Sequence, residues 1–544
     1  MWFPLVGVIL IISDSLRADF LGCYGSRDIR TPNIDRLARE SAVFDRNYIA
    51  SYPTVPNRLD IWTGKYNFPF KGWEPLDPKD VTLPEVLSKH GVTTALVFDT
   101  PMLEKFDFDR GFSGLWHIRG HHVDRACTDP NIPISLPAAP HKLKHLQRTR
   151  QYLRNRAWWR YEKDYIAPRT FEKAIEWLER NYTHDKFFLT VDTWDPHEPF
   201  DPPLHYLRMY ADLNDEIDNI IYPAYGHCDY MSKAELQRVR ALYAGEVTMV
   251  DTWVGRLLDA VERFGLAEST MIIFTTDHGH LFGEHGLEGK PVGMLGSLYE
   301  VTTRIPLIIH HPEGLASGKR IGGLVQPVDI MPTILDFFNI PIPKTVEGKS
   351  ILPLMKGEVE TLHRYAFSAR FPEGYSVGGT AAQVFDGWAG PSQVFSPVTI
   401  TNERWSLICS PNPEMSELYD LKSDPMQKKN IIDEEKEIAD EMRQALISFL
   451  EREGAKEQMI APLKSEDKYI RESLKPTATL YALRDSEGRI LAYLTLEEAR
   501  ERLSSQLMSR EPKRITFQSL VQKDPKAMVF IEGQYYWAEE LSTI

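Results

Sequence analysis

Two acidic residues of this sequence directly follow short apolar runs that are typical of buried strands. Asp14 follows an apolar run near the amino terminus, and Asp277 follows the run 271–276 and precedes His278. In an open parallel sheet, ligands bind beyond the carboxyl ends of the strands, where such side chains lie. Carboxylates together with an imidazole suit a divalent cation of the Mn, Zn or Mg/Ca class. Each residue could also cap a loop, so the sequence leaves a metal site and structural capping as alternatives.

A third segment combines a hydroxyl group, a predicted helix start and an arginine. Within residues 51–64, Thr54 and a proline precede the predicted helix start, and Arg58 lies in its first turn. The amino-terminal end of a helix presents unpaired backbone N–H groups that can bind an oxyanion. The planar guanidinium of Arg58 adds donors suited to phosphate or sulfate. The alternative is a capping threonine with a surface arginine.

These residues must be positioned by the apolar strands and helices around them. Strands are predicted at 5–12, 93–98, 186–192, 271–276 and 305–309, and helices at 81–90, 171–181 and 233–264. A further helix is predicted to open with Thr31 as N-cap and Pro32 at its first position. Buried strands separated by helices indicate an α/β fold, a mostly parallel sheet with helices on both faces.

The pattern changes in the last third of the chain. An antiparallel hairpin is predicted over 398–409 and a helix over 434–452, followed by a hairpin over 479–494 and a helix over 497–506. We therefore predict three units: a catalytic core at 1–349, an antiparallel C-terminal subdomain at 350–453, and an appended small α+β module at 454–544.

Charge excludes some broad classes of partner. The 544 residues include 63 Lys and Arg against 77 Asp and Glu, which gives a formal net charge of −14. A surface this acidic argues against broad binding of nucleic acid or anionic membranes. A small anionic substrate remains compatible with it, because a metal and a few local cations can reverse the sign inside one pocket.

Cysteine content and the amino-terminal sequence favour a reducing compartment. The four cysteines lie far apart, so free thiols are expected rather than a disulfide scaffold. The apolar run 1–12 lacks a basic leader and a cleavage site and is too short to span a bilayer. We interpret this run as a buried strand and expect a cytoplasmic protein.

Taken together, the segments resemble the sulfatase family of the alkaline phosphatase superfamily over about residues 5–450. The matching motifs are TPNIDRL at 31–37, TVPNR at 54–58 with TG at 63–64, DPHEP at 195–199, DHG at 277–279, GEHG at 283–286, GK at 289–290, YE at 299–300, RIP at 304–306, and ELYDL at 417–421 with DP at 424–425. Each fragment is short, and the resemblance depends on their order and spacing.

The resemblance implies a fold, a metal and a set of site residues. The fold is an alkaline phosphatase-like three-layer sandwich with a smaller C-terminal antiparallel subdomain. The implied ligands of one divalent metal ion are Asp14, Thr54, Asp277 and His278. The implied catalytic residues are Thr54 as nucleophile, Arg58 as its support, and His197 and Lys290 as contacts of the substrate oxygens. A second ion held by His121, His122 and Asp195 stays open as an alternative.

The residue at the nucleophile position departs from the sulfatase pattern. Sulfatases of this family carry Cys or Ser there, matured to formylglycine, whereas this chain has Thr54. Threonine cannot give that aldehyde, because its β-carbon carries a methyl group. A formylglycine hydrate expels sulfate with its second hydroxyl, but a threonine ester must be opened by water at phosphorus or sulfur. That step is reasonable for a phosphoryl group and slow for a sulfuryl group.

Two further departures point the same way. Ser15 replaces a second aspartate of the family, and residues 97–101 replace GKWHLG, whose Lys and His grip sulfate. Loss of two cations favours a substrate of lower charge than a dianionic monoester. Phosphonate monoester hydrolases of the family also share the DHG motif found at 277–279.

We therefore predict a metal-dependent hydrolase of phosphodiesters or phosphonate monoesters that works through a phospho-threonine intermediate. The alternatives are a sulfuric ester hydrolase, a phosphoryl transferase or mutase, and a non-catalytic binding protein on the same fold. Assembly into a homo-oligomer stays open.

Overall fold

The structure is a computed structural model that describes residues 6–290, 296–370, 397–410, 415–464, 480–484, 490–494, 514–515, 528–531 and 534–537. Its strands are β1 (Val6–Ser13), β2 (Ala42–Phe44), β3 (Thr93–Phe98), β4 (Gly114–His117), β5 (Lys186–Thr193), β6 (Tyr225–His227), β7 (Thr270–Thr275), β8 (Leu281–Phe282), β9 (Leu287–Gly289), β10 (Leu307–His310), β11 (Arg320–Ile321), β12 (Ala366–Ser368), β13 (Val398–Thr401), β14 (Trp405–Cys409), β15 (Glu417–Asp420), β16 (Leu480–Arg484), β17 (Ile490–Leu494), β18 (Arg514–Ile515), β19 (Met528–Ile531) and β20 (Gln534–Trp537). Its α-helices are α1 (Pro32–Arg39), α2 (Thr54–Thr63), α3 (Leu83–Lys89), α4 (Leu146–Arg156), α5 (Ile166–Asn181), α6 (Leu204–Leu207), α7 (Lys233–Arg263), α8 (Glu300–Thr303), α9 (Ile330–Phe337), α10 (Leu352–Lys356), α11 (Lys436–Glu453) and α12 (Glu457–Lys464).

An eight-stranded sheet in the order β11-β2-β10-β7-β1-β5-β3-β4 forms the centre of the molecule. The five strands from β7 to β4 pair in parallel. Strand β10 runs antiparallel to both of its neighbours, β7 and β2. The predicted mostly parallel sheet is therefore confirmed, with one antiparallel strand that the apolar run at 305–309 did not reveal.

Helices cover both faces of this sheet. Along β1, Ile9 packs into a core on one side that includes Phe171 of α5. The next residue, Leu10, packs into a second core on the other side that includes Leu59 of α2. Because successive strand residues point to opposite faces, a strand buried on both faces must be apolar throughout. The three-layer sandwich implied by the resemblance is confirmed.

The parallel strands end at one edge of the sheet, and the predicted site residues follow them there. Ser13 at the end of β1 is level with Thr193 of β5, and Ile12 is level with Thr275 of β7. Asp14 and Asp277 come directly after these ends. The register of β1, β5 and β7 therefore brings together residues that lie far apart in the sequence.

Helix α1 begins at Pro32 as predicted, but Thr31 does not cap it with its side chain. The Thr31 hydroxyl accepts a hydrogen bond from the backbone N–H of Gly22 at 2.9 Å and donates to Asp35 at 3.3 Å. Thr31 is therefore the N-cap residue as predicted, but its hydroxyl is used by the preceding loop and makes no capping hydrogen bond.

A second, smaller sheet in the order β12-β13-β14-β15 is antiparallel throughout. Helix α11 packs against it, with Leu446 and Phe449 in one cluster with Ile400 and Leu407. The hairpin predicted over 398–409 is confirmed as β13 and β14, and the helix predicted over 434–452 is α11.

The C-terminal strands join segments from the first part of the chain. The hairpin predicted over 479–494 is confirmed as the antiparallel pair β16 and β17. Their sheet continues through β19 and β20 to β6, β9 and β8, and β20 pairs in parallel with β6. The helix predicted over 497–506 lies outside the described residues, and the domain boundaries at 349 and 453 stay predictions.

Neither a disulfide nor a helix suited to cross a bilayer is found in the described parts of the chain. All four cysteines are free, as expected. No helix in these ranges is both long and apolar enough to span a membrane.

Candidate active site

Asp14, Asp277 and His278 meet at the carboxyl edge of the central sheet. One ligand atom of each lies within 4.8 Å of those of the other two, and all three side chains are buried. The juxtaposition that the two apolar runs predicted is therefore present. We call these three residues the acidic cluster.

The acidic cluster fits a divalent cation. The Asp14 Oδ2 atom is buried without a hydrogen-bond partner among the described residues. Burial and the neighbouring Asp277 carboxylate raise the pKa of Asp14, an effect that a cation between the oxygens would offset. The His278 Nδ1 atom donates to the Gly279 carbonyl at 2.8 Å, which leaves Nε2 with its lone pair 3.5 Å from Asp277 and 4.0 Å from Asp14. Neutral imidazole is a common metal ligand, and burial lowers the pKa of His278 to about 4.

Thr54 is the first residue of α2 and lies beside the acidic cluster. Its Oγ1 atom is 3.3 Å from His278 Nε2, and its side chain is buried. A helix starts here as predicted, but it begins at Thr54 itself, with Pro53 as the N-cap residue, so Arg58 is its fifth residue and lies beyond the first turn. The hydroxyl and the amino-terminal end of a helix therefore face the same point, an arrangement suited to an anionic ligand.

Arg58 is fully buried and bound to carboxylates, so the alternative of a surface arginine is wrong. Its Nε and Nη2 atoms both donate to Asp192 at 2.8 Å. Its Nη1 atom donates to Asp277 at 2.7 Å and to the Thr54 carbonyl at 3.1 Å, and Nη2 lies 3.3 Å from Asp14. Because four of its five N–H groups donate to protein atoms and the guanidinium also pairs with Asp14, Arg58 orients the acidic cluster and the start of α2.

Asp192 is a site residue that the sequence interpretation missed. It lies on β5, binds the Arg58 guanidinium through both oxygens and accepts a hydrogen bond from the Thr100 hydroxyl. An acid at the carboxyl end of an apolar strand was the signal that identified Asp14, and the run at 186–192 carries the same signal.

His197 is held by its neighbours in the loop after β5. Its Nδ1 atom donates to the Glu198 carbonyl at 2.8 Å, and its ring packs on Trp194 with 3.8 Å between ring centroids. A fixed Nδ1 proton leaves Nε2 as the atom available to a ligand. The structure thus presents one defined edge of the His197 ring.

Lys290 connects this loop to the acidic cluster. Its ammonium donates to Glu198 at 3.2 Å and to the Ser15 hydroxyl at 3.1 Å, and Ser15 in turn donates to Asp14 at 2.8 Å. Burial alone would raise the pKa of Glu198, but Lys290, His280 and Lys144 outweigh it and lower this pKa to about 2. Glu198, another residue that sequence reasoning missed, is therefore a carboxylate that anchors Lys290.

Lys144 also enters this part of the site, and no local sequence pattern distinguishes it from Lys142. It is only 6% exposed, and its ammonium lies 3.1 Å from the centroid of the Tyr225 ring. The Lys290 ammonium lies 5.6 Å from the same centroid. Burial and the positive charge of Lys290 lower the pKa of Lys144 well below its usual range, against the opposing effect of Glu198.

The histidine pair considered for a second ion lies beside Trp194. The Nδ1 atoms of His121 and His122 contact each other, and both rings lie within 5.8 Å of the Trp194 ring. Asp195 does not complete a ligand set, because the acidic cluster is the one metal-type group of three among the described residues. His121, His122 and Asp195 therefore do not form a three-residue group of metal ligands among the described residues.

The segment that replaces GKWHLG makes internal hydrogen bonds. Asp99 accepts hydrogen bonds from Thr170 at 2.5 Å and Thr193 at 3.0 Å, and Thr100 donates to Asp192. These side chains stabilise the ends of β3 and β5. The end of β3 therefore contributes no cation to the site.

Comparison with known protein families agrees with the fold. The family model described as Sulfatase matches residues 7–340, and that of the N-sulphoglucosamine sulphohydrolase C-terminal region matches 283–452. The first match covers more than half of the chain. This protein therefore belongs to the sulfatase family of the alkaline phosphatase superfamily, a family of hydrolases.

Individual relatives include both sulfatases and phosphonate monoester hydrolases. An arylsulfatase of Clostridium perfringens is 27% identical over 488 residues, which cover 82% of this chain and 94% of that protein. The multifunctional alkaline phosphatase superfamily protein PehA of Trinickia caryophylli is 27% identical over 403 residues, 64% of this chain and 76% of that protein. The phosphonate monoester hydrolase of Agrobacterium radiobacter has the same fold, with a TM-score of 0.64 at 22% identity over 82% of this chain and 96% of that structure.

Proposed function

We propose that this protein is a metal-dependent hydrolase of phosphodiesters or phosphonate monoesters and that Thr54 is its nucleophile. The observation that carries the proposal is the position of the Thr54 hydroxyl, 3.3 Å from His278 Nε2 at the start of α2. Asp14, Asp277, His278 and Thr54 Oγ1 would hold the divalent metal ion. When bound, such an ion lowers the pKa of a hydroxyl group and neutralises a non-bridging oxygen of the ester.

The residues around Thr54 have distinct parts in the proposed reaction. The deprotonated Thr54 oxygen attacks phosphorus in line, the bond to the leaving oxygen breaks, and a phospho-threonine ester forms. Lys290, anchored by Glu198, supplies positive charge to the substrate oxygens. Arg58 keeps Thr54 and the acidic cluster in place, and His197 presents Nε2 to a substrate or water oxygen. Water then opens the phospho-threonine at phosphorus and restores the hydroxyl.

Two features of the site favour phosphorus over sulfur. Threonine lacks the second hydroxyl with which a formylglycine hydrate expels sulfate. Asp99 and Thr100 at the end of β3 bond within the protein, so this position does not add the cations that grip a sulfate group. A scissile group with a single negative charge suits this arrangement.

Hydrolysis of sulfuric esters is the second candidate. It is favoured by the relatives whose names are sulfatases, among them the Clostridium perfringens arylsulfatase. The two candidates differ in the atom that is attacked and share the position of Thr54, so one substrate panel separates them.

The test uses metal-loaded protein with bis(para-nitrophenyl) phosphate, para-nitrophenyl phenylphosphonate and para-nitrophenyl sulfate. We expect kcat/KM for the phosphorus esters to exceed that for the sulfate. Thr54→Val, which keeps the shape and removes the hydroxyl, should lower the rate by about 10³-fold or more. Thr54→Ser keeps the hydroxyl and is the matched control. Activity of Thr54→Val near that of the wild type would rule out the nucleophile, and a faster sulfate reaction would rule out the substrate class.

We also propose that the substrate is a small anionic ester and that the protein works in the cytoplasm. The four free cysteines support a reducing compartment. Fractionation of cells followed by immunodetection tests the location, and recovery of the protein in a periplasmic or secreted fraction would contradict it.

A further inference from the structure

Lys144 is a buried lysine whose side-chain nitrogen forms no ion pair with another described residue. Its backbone N–H donates to the Tyr222 carbonyl at 2.8 Å, which fixes the start of its side chain. Its ammonium lies over the Tyr225 ring at 3.1 Å and 5.8 Å from the Tyr222 ring. Among the described residues, this ammonium forms no hydrogen bond or ion pair with an acceptor.

Lys290 offers a direct comparison, because it is buried to the same degree at 5% exposure. Its ammonium has two acceptors, Glu198 at 3.2 Å and Ser15 at 3.1 Å. Lys144 has neither, although both ammonium groups lie near the ring of Tyr225. Glu198 therefore pairs with Lys290, and Lys144 has no carboxylate partner among the described residues.

Another acid near these lysines does not restore the balance. Glu288 is paired with His280 at 3.1 Å, and burial raises the pKa of this glutamate well above its usual range. Its carboxyl group is engaged by His280 and forms no ion pair with either lysine among the described residues. This part of the site carries more positive than negative charge, an imbalance suited to an anionic ligand.

The position of Lys144 indicates which part of a ligand it would meet. Lys290 reaches Asp14 through the Ser15 hydroxyl, so it borders the acidic cluster. Lys144 has no such link to the acidic cluster among the described residues, and its ammonium lies on the Tyr225 ring, whose hydroxyl donates to Glu198. Lys144 therefore borders the Tyr225 and Glu198 side of the site rather than the acidic cluster.

We propose that Lys144 forms a second anion subsite and that the ester cleaved at Thr54 carries an additional acidic group, which binds the Lys144 ammonium. The inference rests on the proposed function, because it takes Thr54 as the position of the scissile group. Burying an ammonium without a counter-charge is unfavourable for folding, and binding sites are where such a cost is retained. The scissile group keeps a single charge, and the second charge lies on the part of the substrate that does not react.

The test compares two ligands that differ by one carboxylate, methylphosphonate and phosphonoacetate. Binding is measured by calorimetry on the metal-loaded Thr54→Val protein, which removes turnover from the measurement. We expect phosphonoacetate to bind about tenfold more tightly than methylphosphonate. Lys144→Met should abolish that difference and change methylphosphonate binding by less than about threefold, while Lys144→Arg should preserve it.

Lys142→Met is the matched control, because Lys142 lies two residues away and pairs with Asp218 and Glu235 outside this subsite. It should leave the preference for phosphonoacetate unchanged. The melting temperature of Lys144→Met should equal or exceed that of the wild type, since the substitution removes a buried charge. This readout also shows that the variant is folded.

Two outcomes would overturn the subsite. One is equal binding of the two ligands, or a preference that survives in Lys144→Met. The other is a lower melting temperature in Lys144→Met with unchanged preference, which would make Lys144 a structural partner of Tyr225. Failure of the proposed function is seen separately, as turnover that persists in Thr54→Val, because the binding comparison needs no turnover.

Discussion

The candidate site has two walls of different construction. The first, which we call the strand-end wall, consists of Asp14, Asp192, Asp277 and His278 with Arg58 among them, and its members follow or end regular elements. The second, the loop wall, consists of Lys144, His197, Glu198, Tyr225 and Lys290. In the first wall one cation is bound by three carboxylates, whereas in the second the carboxylate of Glu198 pairs with Lys290, and Lys144 forms no ion pair with another described residue. We therefore expect the carboxylates of the strand-end wall to be balanced by Arg58 and a bound metal ion. In the loop wall, we expect the positive charge of the lysines to be balanced by an anionic group of the substrate.

Removal of Arg58 should have the largest effect. Arg58→Met would leave Asp14, Asp192 and Asp277 buried together without their shared cation. Breaking a buried ion pair in this way costs about 3–5 kcal/mol of the free energy of unfolding. Urea unfolding checks the loss. Arg36→Met, which breaks a partly exposed pair with Asp259 at 2.7 Å, is the control and should cost less than about 1 kcal/mol. Equal losses would show that the strand-end wall is not held by Arg58.

The strand-end wall also shows which parts of the site can be predicted from the sequence. Asp14, Asp277 and His278 were predicted together because parallel strands end at one edge, and Thr54 because a helix start has a recognisable pattern. Arg58 was identified as a site residue, but whether it lay at the surface or in the interior depends on carboxylates from three other elements. Local periodicity cannot report those contacts.

The loop wall was less accessible to prediction. His197 and Lys290 were proposed through a resemblance of motifs, and their shared partner Glu198 was missed. Lys144 resembles any other lysine of a polar segment, because its burial arises from Tyr222 and Tyr225, which lie about 80 residues further along the chain. The fold shows the same limit, since the apolar run of β10 predicts a strand but not its antiparallel direction.

Metal binding should reverse the effect of a substitution in the strand-end wall. Without metal, Asp14→Asn removes repulsion between two buried carboxylates and should stabilise the protein. With metal, the wild type gains stability by mass action, about 2.7 kcal/mol when the ion is at one hundred times its dissociation constant. The variant should lose most of this gain. Melting curves with added Mn²⁺ and with a chelator measure whether Asp14→Asn lowers stability with the metal and raises it without the metal. A variant that is stabilised by the ion as strongly as the wild type would exclude Asp14 as a ligand.

Glu198 of the loop wall and the nearby buried Glu288 should behave differently. Glu198→Gln removes the charge that anchors Lys290 and keeps an acceptor for the Tyr225 hydroxyl, so kcat should fall about 10–100-fold. Glu288→Gln is the matched control, since burial raises the pKa of this glutamate well above its usual range and we expect the neutral amide to replace it with less than about a threefold effect on kcat. Steady-state kinetics on the better phosphorus ester measures both. Similar losses of kcat in the two variants would contradict the view that only the charge of Glu198 supports Lys290.

The smallest expected effect concerns Asp195, in the turn that carries His197. Burial, followed by the charges of Asp99 and Asp201, raises the pKa of Asp195 to about 8, and the Ala167 N–H donates to it at 3.4 Å. Glu246 is the other acid whose pKa responds to Asp195. A carboxyl group with a raised pKa contributes stability that is present below pH 4 and is lost as the pH rises toward 8. Asp195→Asn keeps the neutral form at every pH, so it should match the wild type near pH 4 and become increasingly more stable than the wild type as the pH rises toward 8. Urea unfolding across this range measures the difference, with Asp212→Asn on the exposed loop before α7 as the control. A difference independent of pH would mean that Asp195 is ionised in the folded protein and that the loop wall carries a second carboxylate.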